Sequence, residues 1–234
     1  MRPAEEAIVL VGGLGTRLRA ELGDVPKPLA PVAGRPFLAY LLDQLAAAGL
    51  RRTILASGYL AEKIEAAIGC SWNGMRIDYS VEEAPLGTGG AVALASRQLR
   101  GNCAHVANGD TFLRYDPTAL QRAVVAAGAA LGMALAQVSD VARYGAVETA
   151  AGRATGFREK GGSGPGLVNA GNYFLTPEAF SVFPQRDSFS FEESVLQPLA
   201  AAGRVAVLVE TTGFIDIGVP ADYRQAQALF AARA

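Results

Sequence analysis

At 234 residues, half of them hydrophobic and 18% charged, the chain is long enough to bury a substantial core and too apolar to be disordered. With 21 Lys+Arg against 22 Asp+Glu its formal net charge is −1, which excludes a partner recognised by bulk charge, nucleic acid above all. The opening MRPAEEAIVLVGG sets acids ahead of a short apolar run, and no stretch reaches the ~18 apolar residues of a spanning helix, so neither a targeting segment nor a membrane partner is expected and the compartment implied is the cytoplasm.

Short β-branched runs alternate with Ala/Leu-rich amphipathic stretches: strands at 7–11, 52–57, 76–82 and 104–108, helices at 35–49, 60–69, 87–99 and 117–128, then a strand at 130–138. That alternation predicts βαβ units and a mainly parallel sheet flanked by helices. From residue 140 the strands shorten and turns multiply (YGAVET, RATGFREK, LVNAGNYFL), which predicts a small antiparallel elaboration on the same core before two helices near 191–202 and 220–233. KGGSGPG (160–166) is read as a mobile loop between strands. No internal repeat is present. Cys70 and Cys103 have no CxxC or histidine pattern near them and are expected to be reduced, buried thiols.

The stretch AIVLVGGLGTRLRAELGDVPKPL (7–29) ends a predicted strand in glycines. It is not a dinucleotide fingerprint, because Leu18 stands where the third glycine belongs, and it has no GK[ST]. What remains is a bare backbone loop at a strand's carboxyl end, where open α/β sheets bind ligands, followed by Arg17 and by Lys27 between Pro26 and Pro28. A planar cation and a point charge on a stiffened backbone suit a polyphosphate; the bland alternative is a tight turn with solvated charges.

GGLGTRL followed by PKP, EEAPLGTGGA, VANGD, FREK with NAG, and FIDIG, in that order, resembles the sugar-1-phosphate nucleotidylyltransferases over nearly the whole chain. The resemblance implies one nucleotidyltransferase domain over 1–234, with a Rossmann-like α/β fold and a small inserted antiparallel sheet. It implies that Gly12, Gly13, Leu14, Gly15, Thr16 and Arg17 hold the nucleotide triphosphate, and that Arg17, Lys27 and Asp110 are catalytic. Asp110 and Asp216 would bind Mg2+, a hard cation that takes carboxylate oxygens. The backbone at Leu86 and Gly87 would lie against the nucleobase, with Gly87, Gly89 and Gly90 permitting close approach. Glu159, Lys160, Asn169 and Gly171 would hold the sugar phosphate.

The resemblance sets the base-contacting side chain five residues before Gly87, at Glu82; a carboxylate there would accept two parallel N–H bonds from guanine N1 and N2, whereas uracil and thymine suit an amide, so GTP is the expected nucleotide, and Glu83 next door leaves the register open by one residue. The acceptor implied is a sugar 1-phosphate, of the D-glycero-α-D-manno-heptose kind, with mannose 1-phosphate and N-acetylmuramate 1-phosphate (the latter with UTP) left open. An inactive nucleotide-sugar-binding regulatory subunit, which should have lost the cations or acids named above, is the reading from a different class. A homo-oligomer is compatible with all of this. His105, the only histidine, excludes His-based triads and multi-histidine metal sites and reads as a strand residue. Trp72, Phe189 and Phe191 read as packing.

Overall fold

A computed structural model describes residues 3–13, 21 and 23–231. The strands are β1 (Glu6–Leu10), β2 (Pro31–Val32), β3 (Arg35–Pro36), β4 (Arg52–Ser57), β5 (Ser71–Trp72), β6 (Met75–Val81), β7 (Ala104–Asn108), β8 (Thr111–Arg114), β9 (Leu131–Val138), β10 (Ala146–Ala150), β11 (Arg153–Arg158), β12 (Gly166–Leu175), β13 (Val205–Leu208) and β14 (Thr212–Asp216). The described helices are α1 (Phe37–Ala47), α2 (Ala61–Ile68), α3 (Gly87–Ser96), α4 (Pro117–Ala127), α5 (Pro177–Ser181), α6 (Gln197–Ala201) and α7 (Pro220–Ala231).

Ten strands form one sheet in the order β10-β11-β13-β9-β12-β7-β1-β4-β6-β5, with β7, β1, β4 and β6 mutually parallel. The mainly parallel sheet expected from the sequence is therefore present. The antiparallel elaboration is its extension, since β12 runs antiparallel between β7 and β9 and β10–β11 form the far edge. Two small ladders stand apart, β8 with β14 and β2 with β3. The expected strands and helices appear within a few residues, whereas β2, β3, β5, β8, β13 and β14 have no counterpart in the sequence reading. They run two to five residues, too short for a periodic pattern to show.

β1 is apolar from Ala7 to Leu10 because both of its faces are covered, and Glu6 at its start is buried in an ion pair with Arg52. Ala7 and Val9 join Leu38, Leu41, Leu42, Leu45 and Ile64 of α1 and α2 in one core. Ile8 points the other way, to Val92 and Ala95 of α3 and to Phe189, Val195 and Leu199. α4 starts where local chemistry says it should: the Asp116 side chain accepts from the Thr118 amide at 2.8 Å, Pro117 occupies the first turn, and Gly128 closes the helix in left-handed conformation. The 160–166 loop is tied down, with the Gly161 amide donating to the Ala142 carbonyl and the Val141 amide to the Gly164 carbonyl.

Candidate active site

The four parallel strands end side by side. After β7 comes Asp110, after β1 Gly12, after β4 Gly58 and after β6 Glu82, in the spatial order of the sheet. Three strand spacings, about 14 Å, separate the outer two, a reach suited to a ligand with charge at one end and a polar ring at the other.

At the Asp110 end, the β8–β14 ladder pairs Asp216 with Thr111, and the Ile217 amide donates to the Asp110 carbonyl at 3.1 Å, so two carboxylates 106 positions apart become neighbours. Lys27 Nζ lies 2.5 Å from Asp110 Oδ2, with its side chain 15% exposed. A 3-10 turn over Lys27–Leu29, with buried Pro26 before it and buried Pro28 within it, holds that lysine's backbone. Burial and the adjacent Asp110 charge push the Asp216 carboxyl above its usual range, opposed by Lys27, by the Gly218 amide donating at 2.8 Å, and by Arg143. One lysine thus sits beside two carboxylates, so the acids of the cluster outnumber the cation bonded to them. Arg143, paired to Asp222 of α7 at 2.5 Å, is a neighbour that no motif in the sequence announced.

At the other end Glu83 is exposed and Glu82 half-buried. Its Oε2 accepts from the Leu86 amide at 3.2 Å, and Oε1 lies beside Gly12 and Gly58. A Cβ on Gly58 would stand 2.7 Å from Oε1, so this glycine, unremarked in the sequence, makes room for the carboxylate. Gly87, Gly89 and Gly90 also have a use inside the fold. Their free space is taken from within the chain: a Cβ would meet the Phe189 carbonyl at 2.7 Å, the Phe189 ring at 2.2 Å and the Asp187 carbonyl at 2.1 Å, respectively. The close approach they permit is that of the 187–191 segment, which also supplies the Phe189 carbonyl to the Gly89 amide at the start of α3. Leu86 remains half-buried beside Glu82.

On the sugar-side motifs the structure opens a cleft of ≈ 690 Å³ that brings together Glu159, Lys160 and Asn169, joined by Tyr144, Gly145 and Glu192. Gly171 does not line it. It has φ +68 in the bulge of β12, and a Cβ there would collide with Asn108 Nδ2 at 2.5 Å. Glu192 was missed because FEES reads as the first turn of an ordinary helix; no local signal marks it as lining a cleft.

Leu14, Gly15, Thr16 and Arg17 lie outside the described residues; Gly12 and Gly13 are exposed at the end of β1. His105 is a core strand residue, 2% exposed, packed 5.0 Å from the Phe174 ring. Phe189 and Phe191 are buried packing, and the Trp72 indole donates to Asp43. Both cysteines are unpaired, yet Cys70 is exposed and Cys103 half-buried, so the expectation of buried thiols fails; Cys70 follows α2 at the surface, where nothing packs over it. Among the described residues no group of three or more His, Cys, Asp or Glu could hold a metal, and no helix is long and apolar enough to cross a membrane.

An open α/β sheet with its polar groups gathered at the carboxyl ends of the parallel strands defines the class of protein that takes its ligand at that edge. Within that class the chain belongs to the Nucleotidyl transferase family, whose model matches residues 6–233. It is 38% identical over 222 residues, 95% of this chain and 96% of the relative, to D-glycero-alpha-D-manno-heptose 1-phosphate guanylyltransferase of Aneurinibacillus thermoaerophilus. The protein of that name from Campylobacter jejuni is 39% identical, covering 93% of this chain and 96% of its own. The crystal structure of HddC from Yersinia pseudotuberculosis complexed with GMP-PN has a TM-score of 0.84 at 34% identity, covering 97% of this chain and 99% of that one.

Proposed function

We propose that the chain transfers GMP from GTP to a sugar 1-phosphate, D-glycero-α-D-manno-heptose 1-phosphate, giving GDP-heptose and pyrophosphate. The observation that carries this is the Lys27–Asp110–Asp216 cluster at one end of the strand-end row and the Glu82 carboxylate at the other, in a chain whose full-length relatives are named guanylyltransferases.

A phosphate oxygen of the sugar 1-phosphate attacks the α-phosphorus of GTP in line; the bond to the β-phosphate breaks and pyrophosphate leaves. The second pKa of a phosphate monoester is about 6, so the nucleophile is already largely a dianion at neutral pH and no general base is needed. That agrees with a single histidine buried away from the strand ends. The barrier is repulsion between anions; Lys27 and Lys160 are the cations we assign to reduce it, with Arg17 assigned to the leaving pyrophosphate on its motif alone. The donor chemistry fits Mg2+, which typically takes one or two carboxylates and completes its shell with water and phosphate; Asp110 and Asp216 would hold it. Bound there, it would supply charge neutralisation to the phosphates. Glu82 reads the guanine edge. The free thiols support a reducing compartment, the cytoplasm.

Pyrophosphate release with Mg2+, four NTPs and a panel of heptose, mannose, glucose and N-acetylmuramate 1-phosphates tests the reading. GTP with the heptose 1-phosphate should be the preferred pair, and Lys27→Ala and Asp110→Ala should each lose about 100- to 1,000-fold in turnover with the fold retained. Turnover of UTP but not GTP would remove the role given to Glu82; near-normal rates in either variant would remove the catalytic cluster; inactivity on every pair would return the chain to the regulatory-subunit reading.

A further inference from the structure

We propose that Glu192 is a specificity-determining residue of the sugar pocket, a second carboxylate that accepts sugar hydroxyls, and that Asn169 and Tyr173 are positioning residues that aim it. The proposal rests on the sugar 1-phosphate reading above.

Asn169 has little left to offer a ligand. Its amide nitrogen donates to Tyr173 Oη at 2.7 Å and to Glu192 Oε1 at 3.2 Å, which uses both protons, while its Oδ1 accepts from the Gly171 amide at 3.0 Å. The Gly171 N–H fixes which end of the amide is oxygen, so the nitrogen must face Tyr173 and Glu192. Burial, and the nearby Glu192 charge, keep the Tyr173 hydroxyl protonated far above its ordinary range, so it stays a neutral anchor.

Glu192 stands in the opposite condition. It lines the ≈ 690 Å³ cleft with Glu159 and Lys160, it is exposed, and among the described residues its Oε2 has no partner. Carboxylate oxygens pointed into such a cleft take hydroxyl donors, and a pyranose phosphate presents several. Glu192 comes from a different part of the chain than Glu159, so the two together can recognise hydroxyls from separate directions.

The backbone carrying Glu192 is itself unusual. Glu192–Leu196 is a π-turn in which the Gln197 amide donates to the Glu192 carbonyl, five residues back. Its cause is visible in the sequence: Pro198 has no N–H to give the Ser194 carbonyl and its ring would press on that carbonyl in an α-helix, so the turn widens. Buried Val195 and Leu196 anchor the widened turn to the core and leave Glu192 in the cleft.

The test is steady-state kinetics of Glu192→Gln, Glu192→Asp and Tyr173→Phe, with isothermal titration of the GDP-sugar product as a second readout and thermal melting as a fold control. Glu192→Gln should raise the KM for the sugar 1-phosphate and the product Kd about 10- to 100-fold, with the KM for GTP unmoved. Monodeoxy sugar phosphates should discriminate: the analogue lacking the contacted hydroxyl loses affinity for wild type and none further for Glu192→Gln. Tyr173→Phe should give a smaller rise in the same parameter, without a matching fall in kcat. An unchanged sugar KM and product Kd in a folded Glu192→Gln, with wild type active, overturns this role alone. A wild type that neither turns over nor binds any GDP-sugar overturns the proposed function and this role with it.

Discussion

Lys27 gives the carboxylate cluster its only cation bonded directly to an acid among the described residues of that cluster, at 2.5 Å from Asp110. Any metal approaching the free protein must compete with it for that oxygen. Lys27→Met should therefore tighten Mn2+ binding in the absence of nucleotide, read by electron paramagnetic resonance titration, by several-fold or more, since a half-buried charge pair is exchanged for an unmet carboxylate. Unchanged or weaker Mn2+ binding would show that the pair does not guard the site. Residues of this kind were legible in the sequence because each carries its chemistry in a short string: PKP, NGD, FIDIG. Arg143, Gly58 and Glu192 were not, because what matters about them is what lies across from them, and that is set by contacts tens of residues away.

Among the elements, α3 shows the limit of reading glycines. A loop of glycines opening a helix looks like a ligand cradle, yet here the space the missing side chains leave is also packed by the chain's own 187–191 segment. Gly90→Ala puts a methyl 2.1 Å from the Asp187 carbonyl, a contact that only backbone movement relieves. It should cost about 1–3 kcal/mol and lower the melting temperature by several degrees. A melting curve superposable on wild type would show the segment to be free to move away. The parallel strands and amphipathic helices were readable because period and length both point one way, whereas the β8–β14 ladder was not: TFLR and TGFID are too short to announce themselves, and nothing local says they pair.

For the whole molecule, the sheet centre imposes a pH dependence. His105 lies on β7 between β1 and β12, its Nδ1 without a hydrogen-bond partner among the described residues, and burial lowers its pKa to about 4, against a weaker opposing pull from Asp116. The unfolded chain takes up a proton near pH 6.5 and the folded chain resists until about pH 4. Stability is therefore whole above pH 6.5, falls as pH drops through that window, and levels below it, a loss of about 3 kcal/mol from this group. Urea unfolding of wild type and His105→Phe at pH 7 and 4.5 should show the slope in the first and its flattening in the second. Equal slopes would mean that the ring is hydrated in the folded state. The Asp110–Asp216 pair has a different consequence at this scale, because one carboxylate follows β7 and the other ends β14. The two acids lie 106 positions apart and meet only across the β8–β14 ladder, so no local segment of the unfolded chain carries the pair, and the acidic cluster exists only once the fold has closed.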